Sequence, residues 1–251
     1  MTTASVCRLL LFLAVSALTS AVALADEASD AYSYPIVPGT PEWQELKSHD
    51  AMLAACQVPE DLLSRMSTAG LVETCLTYPM SGDLFAYDCL QDGVDRVIAG
   101  FNGLQELLSR PDAAAALMRA RDSLSPAQVH PDWASIRRGQ YSRHLAYLEL
   151  LLSQESCLAV LAPSARRQLT QSCLDWLDAK ANQPSTFGKQ SAMTTGLTMG
   201  RALLRTTFAP FVQAVEQDST LATYLARGCT SGTHVLDLIV AYATQYLATS
   251  E

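Results

Sequence analysis

The chain has 251 residues, 49% of them hydrophobic, with 17 basic and 25 acidic side chains and a formal net charge of −8. That length is enough to bury a sizeable core. The acid excess, with Lys and Arg scattered along the chain, excludes a nucleic-acid partner, which needs clustered positive charge.

Residues 1–25 have the order of a secretory signal. Arg8 closes a short n-region, an apolar core runs from Leu9 to Leu18, and small residues lead to Ala23-Leu24-Ala25. Cleavage is expected after Ala25. The apolar core falls far short of the ~20 residues that cross a bilayer, and no later run approaches that length. No membrane span is therefore expected after signal cleavage, and the location expected is secreted, periplasmic or cell-envelope.

Cys7 leaves with the signal, and Cys56, Cys75, Cys89, Cys157, Cys173 and Cys229 remain. An even set in an oxidising compartment permits disulfides. Zinc is the rival use of thiols, but no Cys-x-x-Cys pair exists and no histidine stands at ligand spacing from a cysteine. Neither a metal nor a cofactor is expected.

Residues 26–40 contain two prolines and a glycine without helical periodicity, so they read as an extended lead-in. Residues 41–251 read as a single all-helical domain. Thr40-Pro41-Glu42 has the order of a helix start: a cap, a proline in the first turn and an acid near the helix dipole. The same order recurs at Val58-Pro59-Glu60-Asp61, and Ser67 opens a helix striped with Leu71, Val72, Cys75 and Leu76.

Longer helices follow. Val94, Val97, Ile98, Phe101, Leu104 and Leu108 fit one face of one helix. Further faces are formed by Tyr141 to Leu152, Leu169 to Leu177, Met193 to Leu204, and Leu236 to Leu247. Alternation of period two is absent, so strands have no support. The fold class expected is all-α, with multiple short helices in antiparallel hairpins forming an irregular helical bundle or a HEAT-like solenoid.

A hairpin of Leu71–Tyr78 against Asp83–Asp92, turning near residue 80, would leave Cys75 and Cys89 offset by about 4 to 5 Å along the axis. That is the disulfide the spacing favours. Cys173 shares an apolar stripe with Leu169 and Trp176 and reads as a buried free thiol.

Linear chemical motifs are weak. Cys229-Thr-Ser-Gly-Thr-His234 gathers a thiol, hydroxyls and an imidazole, but a glycine turn capping a helix accounts for it. Gly188-Lys189-Gln190-Ser191 resembles the tail of a phosphate loop, yet the upstream glycine is missing, so it reads as a helix start. His130-Pro-Asp132 and the pair Asp88 and Asp92 are commonplace surface acids. Gly196-x-x-x-Gly200 lets another helix approach closely. Tyr78, Phe85, Tyr87 and Phe101 gather in one region; they read as core packing or as the aromatics of a ligand or peptide groove.

The stretches YPIVPGTPEW, ACQVPEDLL, LVETCLTYP and FNGLQELL resemble a group of uncharacterised exported bacterial proteins. The resemblance spans residues 34–155 and implies a helical exported protein with no activity to carry over. Cys75 and Cys89 fall outside the shared pattern.

The function expected is that of a non-enzymatic extracytoplasmic binding or interaction protein with a protein or peptide partner. Two alternatives stay open. One is an enzyme, a hydrolase or lyase, whose site is assembled in space from groups such as Tyr141, His144, Glu149 and His234. The other is a structural protein of the envelope.

Overall fold

The computed structural model describes residues 29–229, 232 and 234–249. The signal cleavage site, Cys7, and Thr230, Ser231 and Thr233 of the Cys229–His234 segment lie outside the described residues. The described residues are all-α and contain no strand.

Fourteen helices are described: α1 Pro41–Glu45, α2 His49–Ala55, α3 Glu60–Leu63, α4 Thr68–Leu76, α5 Leu90–Gly100, α6 Asn102–Ser109, α7 Ala113–Asp122, α8 Ser135–Leu152, α9 Glu155–Val160, α10 Pro163–Ala181, α11 Lys189–Leu204, α12 Ala209–Gln217, α13 Ser219–Arg227 and α14 His234–Ala248. They pack as a bundle around α8, α10 and α11, with α14 against α10 and α11, and with α4, α6 and α7 grouped on the N-terminal side. None is long and apolar enough to cross a membrane.

The caps follow their residues. Thr40 Oγ1 accepts from the Trp43 amide at 3.3 Å and Ser67 Oγ from the Gly70 amide at 3.0 Å, each meeting a donor that the helix itself leaves unpaired. Pro59 departs from expectation by one position: it is the cap residue, and α3 begins at Glu60.

Before α1 the chain lies over α4. Asp30 takes the Ser67 amide at 2.6 Å, and the Tyr32 amide donates to Thr74 Oγ1 at 2.8 Å. A Cβ on Gly70 would stand 1.8 Å from Asp30 Oδ1, so this approach requires glycine.

The stripe from Val94 to Leu108 is two helices and not one. The chain opens at Phe101 (φ −131, ψ 113), and side chains take backbone groups freed there: Gln105 Nε2, from α6 itself, donates to the Ile98 and Ala99 carbonyls, both at 3.0 Å. Gln57 Nε2 donates to the Gly100 carbonyl at 3.0 Å, and Gln57 Oε1 accepts from the Asn102 amide at 3.0 Å. Asn102 in turn bonds both backbone groups of Val58. Long-range partners thus make the break affordable where periodicity alone runs through it.

The Cys75–Cys89 pairing is corrected. Residues Ser81–Ala86 form a 3-10 turn, and Tyr87 and Cys89 are extended, so the second arm of the expected hairpin starts only at Leu90. Cys89 instead bonds Cys229, which follows the left-handed Gly228 (φ 69) at the end of α13. Cys75 is a free thiol sealed in the core, and Cys56, Cys157 and Cys173 are likewise buried and free. Gly196 and Gly200 do admit neighbours closely: a Cβ there would stand 2.5 Å from Leu236 Cδ1 and from Leu225 Cδ2, respectively.

Candidate functional site

A cleft of about 470 Å³ opens between α2, the 3-10 turn and α5. Ser48 caps α2 by accepting from the Ala51 amide at 3.1 Å, which sets His49 at the first helical position. Leu53, one turn on, becomes part of the apolar wall. Asp83 stands in the first turn of the 3-10 segment, and His49 Nε2 meets its Oδ2 at 2.6 Å. Arg96 and Val97 come from α5, and Ala86 and Tyr87 complete the rim.

Gly93 decides how closely these elements meet. A Cβ on it would stand 1.9 Å from the Leu84 carbonyl oxygen, so only glycine lets α5 seat against the 3-10 turn. That seating brings Asp83 and Ala86 opposite Arg96 and Val97.

Tyr78 forms the floor. It is buried, its ring stacks on Phe101 at 4.0 Å and 11°, and its hydroxyl has no hydrogen-bond partner among the described residues. Burial pushes its phenol well above the usual value, with smaller contributions from Cys56 and Asp83. A buried polar atom left without a partner is a cost the fold carries at this position.

The four expected aromatics therefore divide. Tyr78 and Tyr87 line this cleft, Tyr87 at 43% exposure. Phe101 is core, stacked behind Tyr78. Phe85 faces a different cleft, at the start of α11.

Tyr141, His144, Glu149 and His234 do not converge, and no hydrogen bond joins any two of them among the described residues. The Tyr141 hydroxyl donates to the Ser125 carbonyl at 3.0 Å and meets Gln128 Oε1 at 2.7 Å. His144 lines a separate depression with Glu73, and burial lowers its imidazole pKa. His234 opens α14 and stands 3.6 Å from Asp218. Glu149 is sealed against Lys180.

The surface acids also find ordinary partners. Asp92 pairs with Arg227 at 2.6 Å, and His130 stands 3.4 Å from Asp132. No group of three or more His, Cys, Asp or Glu side chains is arranged to hold a metal ion among the described residues.

Sequence reasoning missed His49, Asp83 and Arg96. They sit on three elements, at no motif spacing, and each taken singly reads as a surface charge. The one available signal was the aromatic gathering of Tyr78 and Tyr87, which marks the same cleft. No family model, curated protein or solved structure matches the chain.

Proposed function

We propose that the chain is a non-enzymatic helical binding protein working outside the cytoplasm. Its ligand is a short peptide segment that carries an acid beside an aromatic or aliphatic side chain. The cleft between α2 and α5 receives it.

The charge pattern of the cleft carries this reading. His49 and Asp83 answer each other, whereas Arg96, on the same wall, meets no carboxylate among the described residues. A guanidinium offers a planar fork that suits a carboxylate in two-point contact. Leu53, Val97 and the two tyrosines supply the apolar and aromatic surface that gives such a ligand most of its binding energy. The signal-like residues 1–25 and the resemblance to exported helical proteins support a place outside the cytoplasm.

Panning a displayed library of random short peptides tests the reading. Peptides enriched on the protein should share an acid next to an apolar residue and should lose about tenfold or more in affinity on Arg96→Gln. No enrichment, or enrichment indifferent to Arg96→Gln, overturns it.

One observation favours a second reading. An imidazole held by a carboxylate at 2.6 Å is the arrangement of an oriented general base. A hydrolase or lyase would use His49 in that role, yet among the described residues no serine or cysteine is hydrogen-bonded to it. Turnover of peptide esters or amides that His49→Ala abolishes would establish the enzyme. Peptide binding without turnover leaves the binding protein.

A further inference from the structure

The start of α11 forms a second cleft, of about 340 Å³, lined by Phe85, Ser142, Arg143, Gly188, Gln190 and Ser191 among others. It is separate from the His49–Arg96 cleft. The cap of α11 is Gly188, so no side chain takes the amides that open this 16-residue helix. The Ser191 amide turns back to the Gly188 carbonyl at 3.0 Å. The amides of Lys189 and Gln190 have no acceptor within the helix. Their partial positive charge makes the position favourable for an anion.

Two independent features point the same way. Ser191 is only 8% exposed, yet its hydroxyl has no hydrogen-bond partner among the described residues. It holds a donor at the wall of the cleft that the fold leaves unmet. Arg143, on the facing wall from α8, meets no carboxylate among the described residues. The helix start, the hydroxyl and the guanidinium all supply donors.

We propose that this cleft binds a small tetrahedral oxyanion, a phosphate or sulfate. The amides of Lys189 and Gln190 and the Ser191 hydroxyl donate to its oxygens, and Arg143 closes over the outer face. Phe85 offers an apolar wall for the organic part of a monoester. The same donors serve a free ion and an ester.

The test is an amide-resolved NMR titration of the protein with inorganic phosphate and, separately, with phenyl phosphate. Saturating shifts at Lys189 and Gln190 are expected, and Arg143→Gln should weaken binding about tenfold. Tighter binding of phenyl phosphate identifies the monoester as the occupant; equal binding identifies the free ion.

A second variant keeps the result independent of folding defects. Nothing lies within 4 Å of a Cβ placed on Gly188, so Gly188→Asp fits and puts its own carboxylate over the same amides. It should raise the Tm and abolish the phosphate response. Absent shifts at Lys189 and Gln190 in the unmodified protein, or a phosphate response undiminished in Gly188→Asp, overturn the proposal.

Discussion

Cys89 and Cys229 are bonded across 140 residues of sequence, with their Cα atoms 4.6 Å apart. The bridge ties the residue that caps α5 to the turn between α13 and α14. It therefore fastens the rim carrying Tyr87 to the C-terminal helices.

Closing so long a loop removes much of the unfolded chain's freedom. In the chain-entropy model, Cys89→Ser or Cys229→Ser should cost about 4–5 kcal/mol in chemical denaturation. Alkylation of the unfolded, unreduced protein should label Cys56, Cys75, Cys157 and Cys173 and spare Cys89 and Cys229. Labelling of Cys229 without reductant would contradict the bridge.

Lys180 and Glu149 form an ion pair inside the core, Nζ to Oε2 2.9 Å, with side chains 1% and 0% exposed. Thr195 joins both, donating to Glu149 Oε1 at 2.8 Å and accepting from Lys180 at 2.6 Å. The pair holds α8, α10 and α11 together. Removing one partner leaves the other charged and buried, so Glu149→Leu or Lys180→Met should cost about 3–5 kcal/mol. The double variant should recover most of that loss, because two apolar side chains need no counter-charge. Denaturation midpoints of the three variants check this; additive losses would show that the pair is not the unit that matters.

Gly93 and Gly139 should respond oppositely to alanine. A methyl on Gly93 collides with the Leu84 backbone, whereas nothing lies within 4 Å of one on Gly139, inside α8. Gly139→Ala should stabilise by about 0.5–1 kcal/mol through helix propensity. Gly93→Ala should destabilise by about 1–3 kcal/mol and displace the 3-10 turn from α5. Peptide binding should fall with it. Thermal unfolding of both variants reads the contrast.

Burial raises the Cys157 and Cys173 thiols from 9.0 to about 11. Burial is the larger cause for both; Arg121 pulls Cys173 partly back. Each thiol is neutral when protonated, so the unfolded state releases its proton first as pH rises. The stability they contribute is complete below pH 9 and is lost between about pH 9 and 11. Native thiols should stay inert to disulfide reagents near pH 8 and react only with unfolding. Denaturation followed from pH 8 to 11 should show the decline, and Cys157→Ala with Cys173→Ala should lessen it but not remove it, because burial also raises Cys56, Cys75 and the core tyrosines.

What the residues announced, and what they did not, divides by range. Local chemistry was legible: the capping hydroxyls of Thr40 and Ser67, the close-approach glycines of α11 and the apolar stripe of Cys173 all act within a turn or on one helix face. The break at Phe101 was not, because Gln57 supplies a donor and an acceptor from another segment. Cys229 was hidden as the partner of Cys89 for the same reason. Spacing along a hairpin favoured Cys75, whereas Tyr87 and Cys89 are extended and the helix of the second arm starts only at Leu90. The cleft shows the same division. Tyr78 and Tyr87 stand near each other in sequence and were visible, while His49, Asp83 and Arg96 become neighbours only when Gly93 lets α5 and the 3-10 turn meet.

Charge reversal at Arg96 is the sharpest measurement of that cleft: the same random peptide library is selected in parallel on the protein and on Arg96→Glu. Arg96 lies on the exposed rim, where surface substitutions shift stability by about 0.5 kcal/mol or less, so both proteins should fold alike. Acid-bearing peptides should dominate on the first and base-bearing peptides on the second, with the apolar position shared. The same consensus from both selections, or none from either, would contradict a peptide-binding cleft.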